Sequence, residues 1–318
     1  MTVLVTGCAG FVGSHLVDAL LDAGHRVIGV DAFIPYYPRS VKEENLARAR
    51  TRSHFEFVEA DLRDADLRPL VASADAIVHE AAMAGLVRSW ADLELYASCN
   101  LLALGRLLDA VVAEGGRRFL QISTSSVYGR EAVGDETLPL RPSSPYGVTK
   151  LAAEQLVLAY VENHGIPASI VRYFSIYGPR QRPDMGYHIF AEALLDDRPI
   201  TVFGDGEQSR SNTHVSDAVR GTIQALEGAA IGGTYNIGGG EAITVNRAIE
   251  VLADAIGTRP RILHGPTRPG DQRHTAADTR RAREAFGYEP HVDPETGLID
   301  QARWHRDRRG ETVRSSVA

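Results

Sequence analysis

Tyr146 and Lys150 are the side chains of this 318-residue chain whose types and spacing point most directly to chemistry. They stand four residues apart in the run Ser-Pro-Tyr-Gly-Val-Thr-Lys, and in a helix this spacing puts both side chains on one face. A free tyrosine phenol has a pKa of about 10, so alone it is a poor base at neutral pH. A nearby lysine cation favours the phenolate and lowers that pKa. The pair is predicted to accept a proton near neutral pH, whereas an isolated pair at this spacing is more often a solvated helix face.

The glycine-rich stretch near the N-terminus indicates a nucleotide-binding turn. Residues 3–6 are a short apolar run typical of a buried parallel strand, and residues 14–21 have a helical pattern. Between them stand Gly7, Gly10 and Gly13, which permit a tight turn and let the backbone approach a pyrophosphate at the helix N-terminus. The order of strand, glycine turn and helix is the context that a dinucleotide fingerprint requires.

Asp31 stands at the end of the second predicted strand, residues 26–30. An acidic residue at this point accepts hydrogen bonds from both ribose hydroxyls of an adenosine and repels a 2′-phosphate. Asp31 therefore favours NAD over NADP. The alternative interpretation is a loop aspartate that caps a neighbouring turn.

Alternating strands and helices over the first 174 residues predict an α/β fold with a doubly wound parallel sheet. The further predicted strands are residues 55–60, 76–79, 119–123 and 168–174, and the further helices are 93–114 and about 146–162. Ligands of such sheets bind beyond the carboxyl ends of the strands. Thr124, Ser125 and Ser126 follow the fifth strand, where three hydroxyls either bind a substrate or cap a turn. Taken alone, capping is the better interpretation.

The sequence after residue 178 is rich in loops, and it contains many arginines for an acidic chain. The guanidinium group pairs bidentately with phosphate or carboxylate, so arginines near a cleft indicate an anionic ligand, although any single one is more often a surface residue. The arginines concerned are Arg180, Arg182, Arg198, Arg210, Arg259, Arg261, Arg268 and Arg273.

The composition limits the class of protein. The chain is 44% hydrophobic and 24% charged, an ordinary globular balance, and its net charge of -7 argues against a nucleic-acid partner. No apolar run approaches the roughly 18 residues that span a bilayer, and the N-terminus lacks a signal-peptide pattern. Two cysteines fit a reducing cytoplasm, and the scattered histidines show no metal-ligand spacing. We therefore expect a cytoplasmic protein with no metal and no membrane or nucleic-acid partner.

Together the motifs resemble those of the extended short-chain dehydrogenase/reductase family, in its branch of nucleotide-sugar epimerases and dehydratases. The resemblance covers residues 3 to about 290. Further motif residues are Asp61-Leu62, Ala81-Ala82, the run from Ser123 to Gly129, and residues 177–179, 203–206 and 268–271. Within the branch the chain is most similar to UDP-glucuronate 4-epimerases. This similarity rests on Tyr36, Tyr37 and Lys42, on residues 175–183, and on Ser126, which stands where related decarboxylases and dehydratases carry a glutamate.

The resemblance implies a set of site residues. Those implied to bind NAD are Gly7, Gly10, Phe11, Val12, Gly13, Asp31, Phe33, Lys42, Asp61, Leu62, Ala81, Ala82, Met83, Asn100, Ser123, Tyr146, Lys150 and Tyr173. Those implied to bind the substrate are Thr124, Ser125, Ser126, Tyr146, Ser175 and Arg182 at the sugar acid, Arg210 and Arg268 at the diphosphate, and Asp271 at the uridine ribose. Tyr146, Lys150 and Thr124 are the implied catalytic residues.

The resemblance also implies a domain division and an assembly. Residues 1–177, with a returning segment at about 212–238, would form the NAD-binding Rossmann domain. Residues 178–211 and 239–302 would form the smaller nucleotide-sugar-binding domain, and 303–318 a poorly ordered polar tail. A homodimer would form through the helices near 93–114 and 147–162.

The implied reaction is the reversible conversion of UDP-glucuronate to UDP-galacturonate through a 4-keto intermediate. Tightly bound NAD takes and returns the hydride, and Tyr146 is the acid and base. The 4-keto sugar acid is a β-keto acid that can lose carbon dioxide, so its carboxylate must be held away from the geometry that permits this loss. The alternatives are a decarboxylase or 4,6-dehydratase, a 4-epimerase of neutral UDP-hexoses, and a non-enzymatic NAD-binding regulator. The positions of Arg88, Met83 and residues 211–214 depart from the family pattern.

Overall fold

The computed structural model describes residues 1–266 and 274–315 of the chain. Its strands are β1 (Thr2–Thr6), β2 (Arg26–Asp31), β3 (Phe55–Glu59), β4 (Ala76–His79), β5 (Arg118–Thr124), β6 (Ala132–Gly134), β7 (Ala168–Tyr173), β8 (Ile176–Tyr177), β9 (Ile200–Phe203), β10 (Ser209–Arg210), β11 (Thr213–His214), β12 (Thr234–Ile237), β13 (Ile243–Thr244), β14 (Ile262–Gly265) and β15 (His274–Ala277). Its α-helices are α1 (Phe11–Asp22), α2 (Arg39–Asn45), α3 (Arg68–Ala72), α4 (Leu86–Ser89), α5 (Leu93–Ala97), α6 (Ala103–Ala113), α7 (Pro145–His164), α8 (Gly186–Leu195), α9 (Val215–Gly228), α10 (Val245–Ile256), α11 (Arg280–Phe286) and α12 (Pro294–Ser315).

Seven parallel strands form the central sheet, in the order β12-β7-β5-β4-β1-β2-β3. Side chains alternate between the two faces of a strand, and both faces are apolar here, as a doubly covered sheet requires. Val3 and Val5 pack on one side with α1 and α9, while Leu4 packs on the other side with α6 and α7. The predicted α/β fold with a doubly wound parallel sheet is confirmed.

The carboxyl ends of the central strands meet at one edge of the sheet. In register, Thr6 at the end of β1 lies beside Val30 of β2 and His79 of β4, and Thr124 of β5 lies beside Tyr173 of β7. The residues that follow these strands are therefore neighbours, although they are far apart in the sequence. This edge is where open α/β sheets bind ligands.

Helix α7 begins where its sequence predicts. The Ser144 hydroxyl caps the helix by accepting a hydrogen bond from the Gly147 N–H, and Pro145 occupies the first turn, where a missing N–H costs nothing. Gly165 ends the helix in the left-handed conformation, with φ of 65°. Tyr146 and Lys150 are thereby placed in the first two turns of the helix.

The predicted helix over 93–114 is continuous but not uniform. Between α5 and α6 the chain makes a π-helical turn over Ser98–Leu102. Such turns are rare and occur frequently at functional sites, because the wider turn redirects a side chain. Here the turn contains Asn100, which is buried.

One helical segment of the described residues, Leu93–Ala113, is long and apolar enough by length and composition to cross a membrane. The segment is interrupted by Glu94, Arg106 and Asp109, so it is not the uninterrupted apolar run that the sequence expectation excluded. Half of the segment's most apolar window is buried inside the fold. Core helices of soluble proteins meet the same criterion, so the segment is weak evidence for a membrane.

The second half of the chain builds smaller units beside the large sheet. A four-stranded sheet has the order β13-β10-β15-β6, and two strand pairs are formed by β8 with β11 and by β9 with β14. Helices α8, α10 and α12 share a separate apolar core with β9. The chain also returns to the large sheet through α9 and β12.

The prediction of a poorly ordered tail from residue 303 is wrong for the part that the structure describes. Helix α12 runs on from Pro294, and His305 is fully buried in it. Arg308 pairs with Glu44, and Arg309 pairs with Glu192. The segment has few apolar residues, so its anchoring depends on ion-pair partners that lie far away in the sequence.

Candidate active site

A cavity of about 340 Å³ opens at the carboxyl edge of the central sheet. It is lined by the turn before α1, the ends of β2, β4 and β5, the start of α7 and the chain around residues 173–185. Of the sequence-predicted site residues, it brings together Gly7, Gly10, Phe11, Val12, Gly13, Asp31, Lys42, Asp61, Leu62, Ala81, Ala82, Met83, Ser123, Thr124, Tyr146, Lys150, Tyr173, Ser175 and Arg182.

The glycine turn forms a cradle that only glycine permits. Gly7 has φ of +72°, and a Cβ atom on it would lie 2.8 Å from the backbone nitrogen of Ala81. A Cβ atom on Gly13 would lie 2.2 Å from the Gly7 carbonyl oxygen. The turn therefore packs tightly against β4 and brings the N-terminus of α1 to the cavity, which is the arrangement that a pyrophosphate requires.

Asp31 ties the cradle to the loop after β2. Its carboxylate accepts hydrogen bonds from the Phe33 N–H, at 2.8 Å, and from the Ala9 N–H, at 3.2 Å. The Lys42 ammonium lies 3.5 Å from the same carboxylate. An anchored carboxylate at this point of the cavity fits the ribose diol of an adenosine.

Tyr146 and Lys150 lie in the same cavity wall, as their spacing predicts. The Lys150 ammonium donates a hydrogen bond of 2.6 Å to the Ile122 carbonyl, and burial lowers its pKa to about 8. Burial raises the pKa of Tyr146, whereas a hydrogen bond with Thr124 and the charge of Arg182 lower it. The net pKa of the phenol is raised in this structure, because burial outweighs the groups that lower it.

Asn100 does not line the cavity but holds its wall. Its side-chain amide accepts a hydrogen bond of 2.7 Å from the Met83 N–H and donates one of 3.0 Å to the Met83 carbonyl. It also donates to the Thr149 hydroxyl, at 3.1 Å. The π-helical turn thus connects the strand-end segment at Met83 to the helix that carries Lys150.

Arg182 reaches the cavity near Tyr146 and is held by its neighbour. Its guanidinium donates two hydrogen bonds to the Asp184 carboxylate, from Nε at 2.9 Å and from Nη2 at 3.0 Å. Tyr36 donates to the same carboxylate at 3.1 Å, and its ring lies between the guanidinium groups of Arg182 and Arg88. The bidentate bond fixes the plane of the Arg182 guanidinium.

Five predicted site residues do not line the cavity, namely Phe33, Asn100, Ser125, Ser126 and Arg210. Ser125 is buried in a short 3-10 turn, and the Ser126 hydroxyl accepts a hydrogen bond from Thr124. Arg210 lies in β10 of the four-stranded sheet and donates to the Ser209 carbonyl. Arg268 and Asp271 lie outside the described residues.

The NAD dependent epimerase/dehydratase family model matches residues 3–238, which is well over half of the chain. The chain belongs to this family. Bacillus subtilis (strain 168) has a relative named as the uncharacterised UDP-glucose epimerase YtcB, 41% identical over 305 residues, or 95% of this chain and 96% of that protein. The family match and this relative together establish the family. The predicted enzyme class, a NAD-dependent epimerase of nucleotide sugars, is confirmed at the level of the family.

Two solved structures extend the comparison. The UDP-glucuronic acid 4-epimerase of Bacillus cereus, in complex with UDP-glucuronic acid and NAD, is 39% identical, with a TM-score of 0.93 over 97% of this chain and all of that one. The dTDP-glucose 4,6-dehydratase DesIV of Streptomyces venezuelae, with NAD bound, is 32% identical, with a TM-score of 0.89 over 98% of both chains. The cofactor of this enzyme is NAD, as predicted, and the glycine cradle and Asp31 fit it.

The structure also identifies residues of the epimerase cavity that the sequence interpretation missed. Glu80, Arg63 and Met185 line it, and Asp184 holds Arg182. Burial raises the pKa of Glu80 to about 8, although the positive charge of Lys150 acts to lower it. A signal for Glu80 existed, since it is the first residue after β4 and stands directly before Ala81-Ala82.

Another polar cluster lies away from the cavity, between α8 and α12. The possible ligand atoms of His188, Glu192 and His305 lie within 4.8 Å of one another. The Glu192 carboxylate is already held by His305, at 2.6 Å, and by the Arg309 guanidinium, at 2.6 Å. A guanidinium in this position competes with a metal cation, so the cluster is best described as a hydrogen-bonded connection between the two helices.

Proposed function

We propose that this enzyme converts UDP-glucuronate to UDP-galacturonate reversibly, through a 4-keto intermediate. The observation that carries the proposal is the position of Arg182 in the same cavity as Tyr146, because a cation beside the catalytic phenol suits a sugar with a carboxylate at carbon 5. The likeness to the Bacillus cereus enzyme, which binds UDP-glucuronic acid, supports this choice.

The acid and base chemistry falls to Tyr146. Its phenolate accepts the proton of the sugar 4-hydroxyl, and the phenol so formed returns the proton when the opposite configuration forms. Thr124, Arg182 and the positive charge of an oxidised nicotinamide all favour the phenolate, against the effect of burial. Bound NAD supplies the chemistry of hydride removal and return at carbon 4. Lys150, held by the Ile122 carbonyl, contributes a cation fixed in the wall of the cavity.

Control of the sugar carboxylate falls to Arg182 and Ser175. Asp184 occupies the Nε and Nη2 edge of the guanidinium, so a substrate carboxylate has to pair with the donors that remain. A guanidinium whose plane is fixed holds a carboxylate in one rotation, and this limits the loss of carbon dioxide from the keto acid. Ser126 adds no acid that would repel the substrate.

A neutral UDP-hexose 4-epimerase is the second candidate. The name of the Bacillus subtilis relative favours it, and Asp184 partly neutralises Arg182. A decarboxylase remains an alternative that the product assay below separates. A 4,6-dehydratase needs an acid and base pair to eliminate water, which Ser125 and Ser126 do not supply, so the likeness to DesIV extends to the fold and cofactor.

We also propose a cytoplasmic homodimer, in which each subunit has the two-domain division predicted from the sequence. The homodimer is supported by a group of exposed apolar side chains. They lie in the helices predicted to form the interface or just N-terminal to them. These are Val87, Trp90, Leu93, Leu102 and Val148, each more than half exposed. Burial of these side chains against a second copy would stabilise the pair.

The decisive experiment incubates the purified protein with UDP-glucuronate without added cofactor and resolves the products by chromatography and mass. We expect a product of unchanged mass that co-migrates with UDP-galacturonate. A product lighter by carbon dioxide would identify a decarboxylase, and conversion of UDP-glucose alone would identify the neutral-sugar epimerase.

The role of Arg182 is tested by Arg182→Gln, with Arg198→Gln as the matched control. Arg198 is an exposed arginine that also pairs with an aspartate two residues away. Loss of a charge-assisted hydrogen bond should raise KM for UDP-glucuronate roughly ten- to hundredfold. The control should not change it, and an unchanged KM in both variants would remove Arg182 from the substrate site.

A further inference from the structure

Glu80 is a carboxylic acid in the cavity wall whose bonding is incomplete. It is the first residue after β4, and it lines the cavity. Although the residue is partly open to the cavity, its Oε2 atom is buried and has no hydrogen-bond partner among the described residues. A buried unpaired carboxylate is costly, so the neutral acid is the stable form until a positive partner arrives.

The groups around Glu80 do not supply that partner. Helix α7 contributes Lys150 and Tyr146, and β7 contributes Tyr173, all of which interact electrostatically with Glu80. The Lys150 ammonium donates to the Ile122 carbonyl, and among the described residues no ion pair joins it to Glu80. His79, the preceding residue, hydrogen-bonds Thr6 instead. The pKa of Glu80 is raised to about 8, because the effect of burial is larger than the opposing effect of the Lys150 charge.

We propose that Glu80 is the counter-ion of the oxidised nicotinamide ring, neutral before the cofactor binds and ionised once it is bound. A hydride can pass to or from the sugar carbon only if the ring lies at the end of the cavity where Tyr146 serves the neighbouring hydroxyl. Glu80 lines the same cavity and interacts electrostatically with Lys150 and with Tyr146. The ring carries a positive charge in NAD⁺ and none in NADH, so a carboxylate here stabilises the oxidised form selectively.

The consequence concerns the lifetime of the keto sugar. A site that stabilises the oxidised cofactor destabilises, by comparison, the state in which the enzyme holds the reduced cofactor and the 4-keto sugar. Hydride return is therefore favoured, and the intermediate is exposed to side reactions for a shorter time. The proton that Glu80 loses on NAD⁺ binding passes to the solvent. This inference needs only the cofactor of the family and does not depend on which sugar is the substrate.

The test is a calorimetric titration of NAD⁺ and of NADH into nucleotide-free protein, in buffers of different ionisation enthalpy. At pH 7 wild type should release about one proton for each NAD⁺ bound and much less for NADH. Affinity for NAD⁺ should rise with pH up to about the Glu80 pKa of 8 and then level off, because ionisation of Glu80 no longer has to accompany binding.

Glu80→Gln should abolish the proton release and shift the ratio of NAD⁺ to NADH affinity towards NADH by about tenfold at pH 7, which is the change expected if NAD⁺ binding lowers the Glu80 pKa by about two units from its value of about 8. Glu162→Gln, an exposed glutamate of the helix that carries Lys150, is the matched control and should behave as wild type.

If the protein retains its nucleotide on purification, the midpoint potential of the bound nicotinamide is measured instead. The midpoint potential of the bound nicotinamide should be higher in Glu80→Gln than in wild type, because the oxidised form loses its counter-ion. Equal proton release, or an equal affinity ratio and potential, in wild type and Glu80→Gln would overturn the proposal. Since no sugar is present, such a result would leave the proposed epimerase reaction unaffected.

Discussion

Two glutamates that interact electrostatically with Lys150 have opposite surroundings. Glu154, one helical turn further along α7, accepts hydrogen bonds from Arg172 at 2.9 Å and 2.7 Å and from the Ser123 hydroxyl. Glu80 has an oxygen with no partner among the described residues. Both carboxylates raise the pKa of Lys150, against the larger effect of burial.

The difference distinguishes a structural ion pair from a ligand site. Arg172 bonds both oxygens of Glu154, and its remaining nitrogen donates to the Tyr128 hydroxyl at 2.8 Å, so the pair has its hydrogen bonds within the protein. It connects α7 to β7 beneath the cavity. An orphaned polar atom in a cavity wall instead indicates that a ligand supplies the missing partner.

The largest expected effect belongs to the cavity and concerns turnover. Tyr146→Phe removes the group that accepts and returns the proton, which should lower kcat by roughly 10²- to 10⁴-fold or more. The bound NAD and the thermal midpoint should stay as in wild type, because phenylalanine keeps the packed ring and only the hydroxyl is lost. Steady-state kinetics on UDP-glucuronate, with nucleotide content as the control, checks this, and undiminished turnover would contradict the assigned mechanism.

The second prediction concerns stability at the Glu154 pair. Arg172→Met leaves the Glu154 carboxylate buried without its partner, which should lower the free energy of unfolding by about 3–5 kcal/mol. Arg26→Met, which breaks the exposed pair with Glu56, should cost less than about 1 kcal/mol. Urea denaturation of both variants at pH 7 makes the comparison, and equal losses would mean that the buried pair is not structural.

The smallest expected effect is the dependence of stability on pH at Glu80. Its pKa is about 8 in the folded protein and about 4.5 in the unfolded chain, so the folded state holds more protons between these values. Stability of nucleotide-free protein should therefore fall as pH rises from about 4.5 to 8. Near pH 8, Glu80→Gln should be more stable than wild type, because the neutral amide does not have to hold a proton that the unfolded glutamate has lost.

Urea denaturation of both proteins at pH 5 and pH 8 measures this difference. At pH 5 the difference should be much smaller, below about 1 kcal/mol, since Glu80 is neutral in the folded protein and pH 5 lies close to its pKa of about 4.5 in the unfolded chain. A variant that is no more stable than wild type at pH 8 would show that the Glu80 carboxyl is better solvated than its surroundings indicate.

Short-range patterns predicted the fold class correctly, and they named residues that the structure brings together in one cavity. The strand, glycine turn and helix at residues 3–21, and the Tyr146 and Lys150 pair, depend on backbone geometry within one element or between consecutive ones. Asn100 was expected at the cofactor, but the π-helical turn directs its amide to Met83 and Thr149 instead. No residue spacing predicts such a turn.

The sequence by itself determined which groups are available and in what order, namely the phenol and ammonium of α7, the cradle glycines and the acid after β2. Tertiary structure alone decided their ionisation and their partners. Glu80 keeps an oxygen without a partner among the described residues and Glu154 is paired with Arg172, because burial and pairing depend on β7, α7 and the cavity together. The last described turns of helix α12, beyond its apolar core residues, are held by Glu44 and Glu192, which lie far away in the sequence and pair with its arginines. Electrostatic energy depends on distance through space and on access to water, and residue spacing along the chain specifies neither.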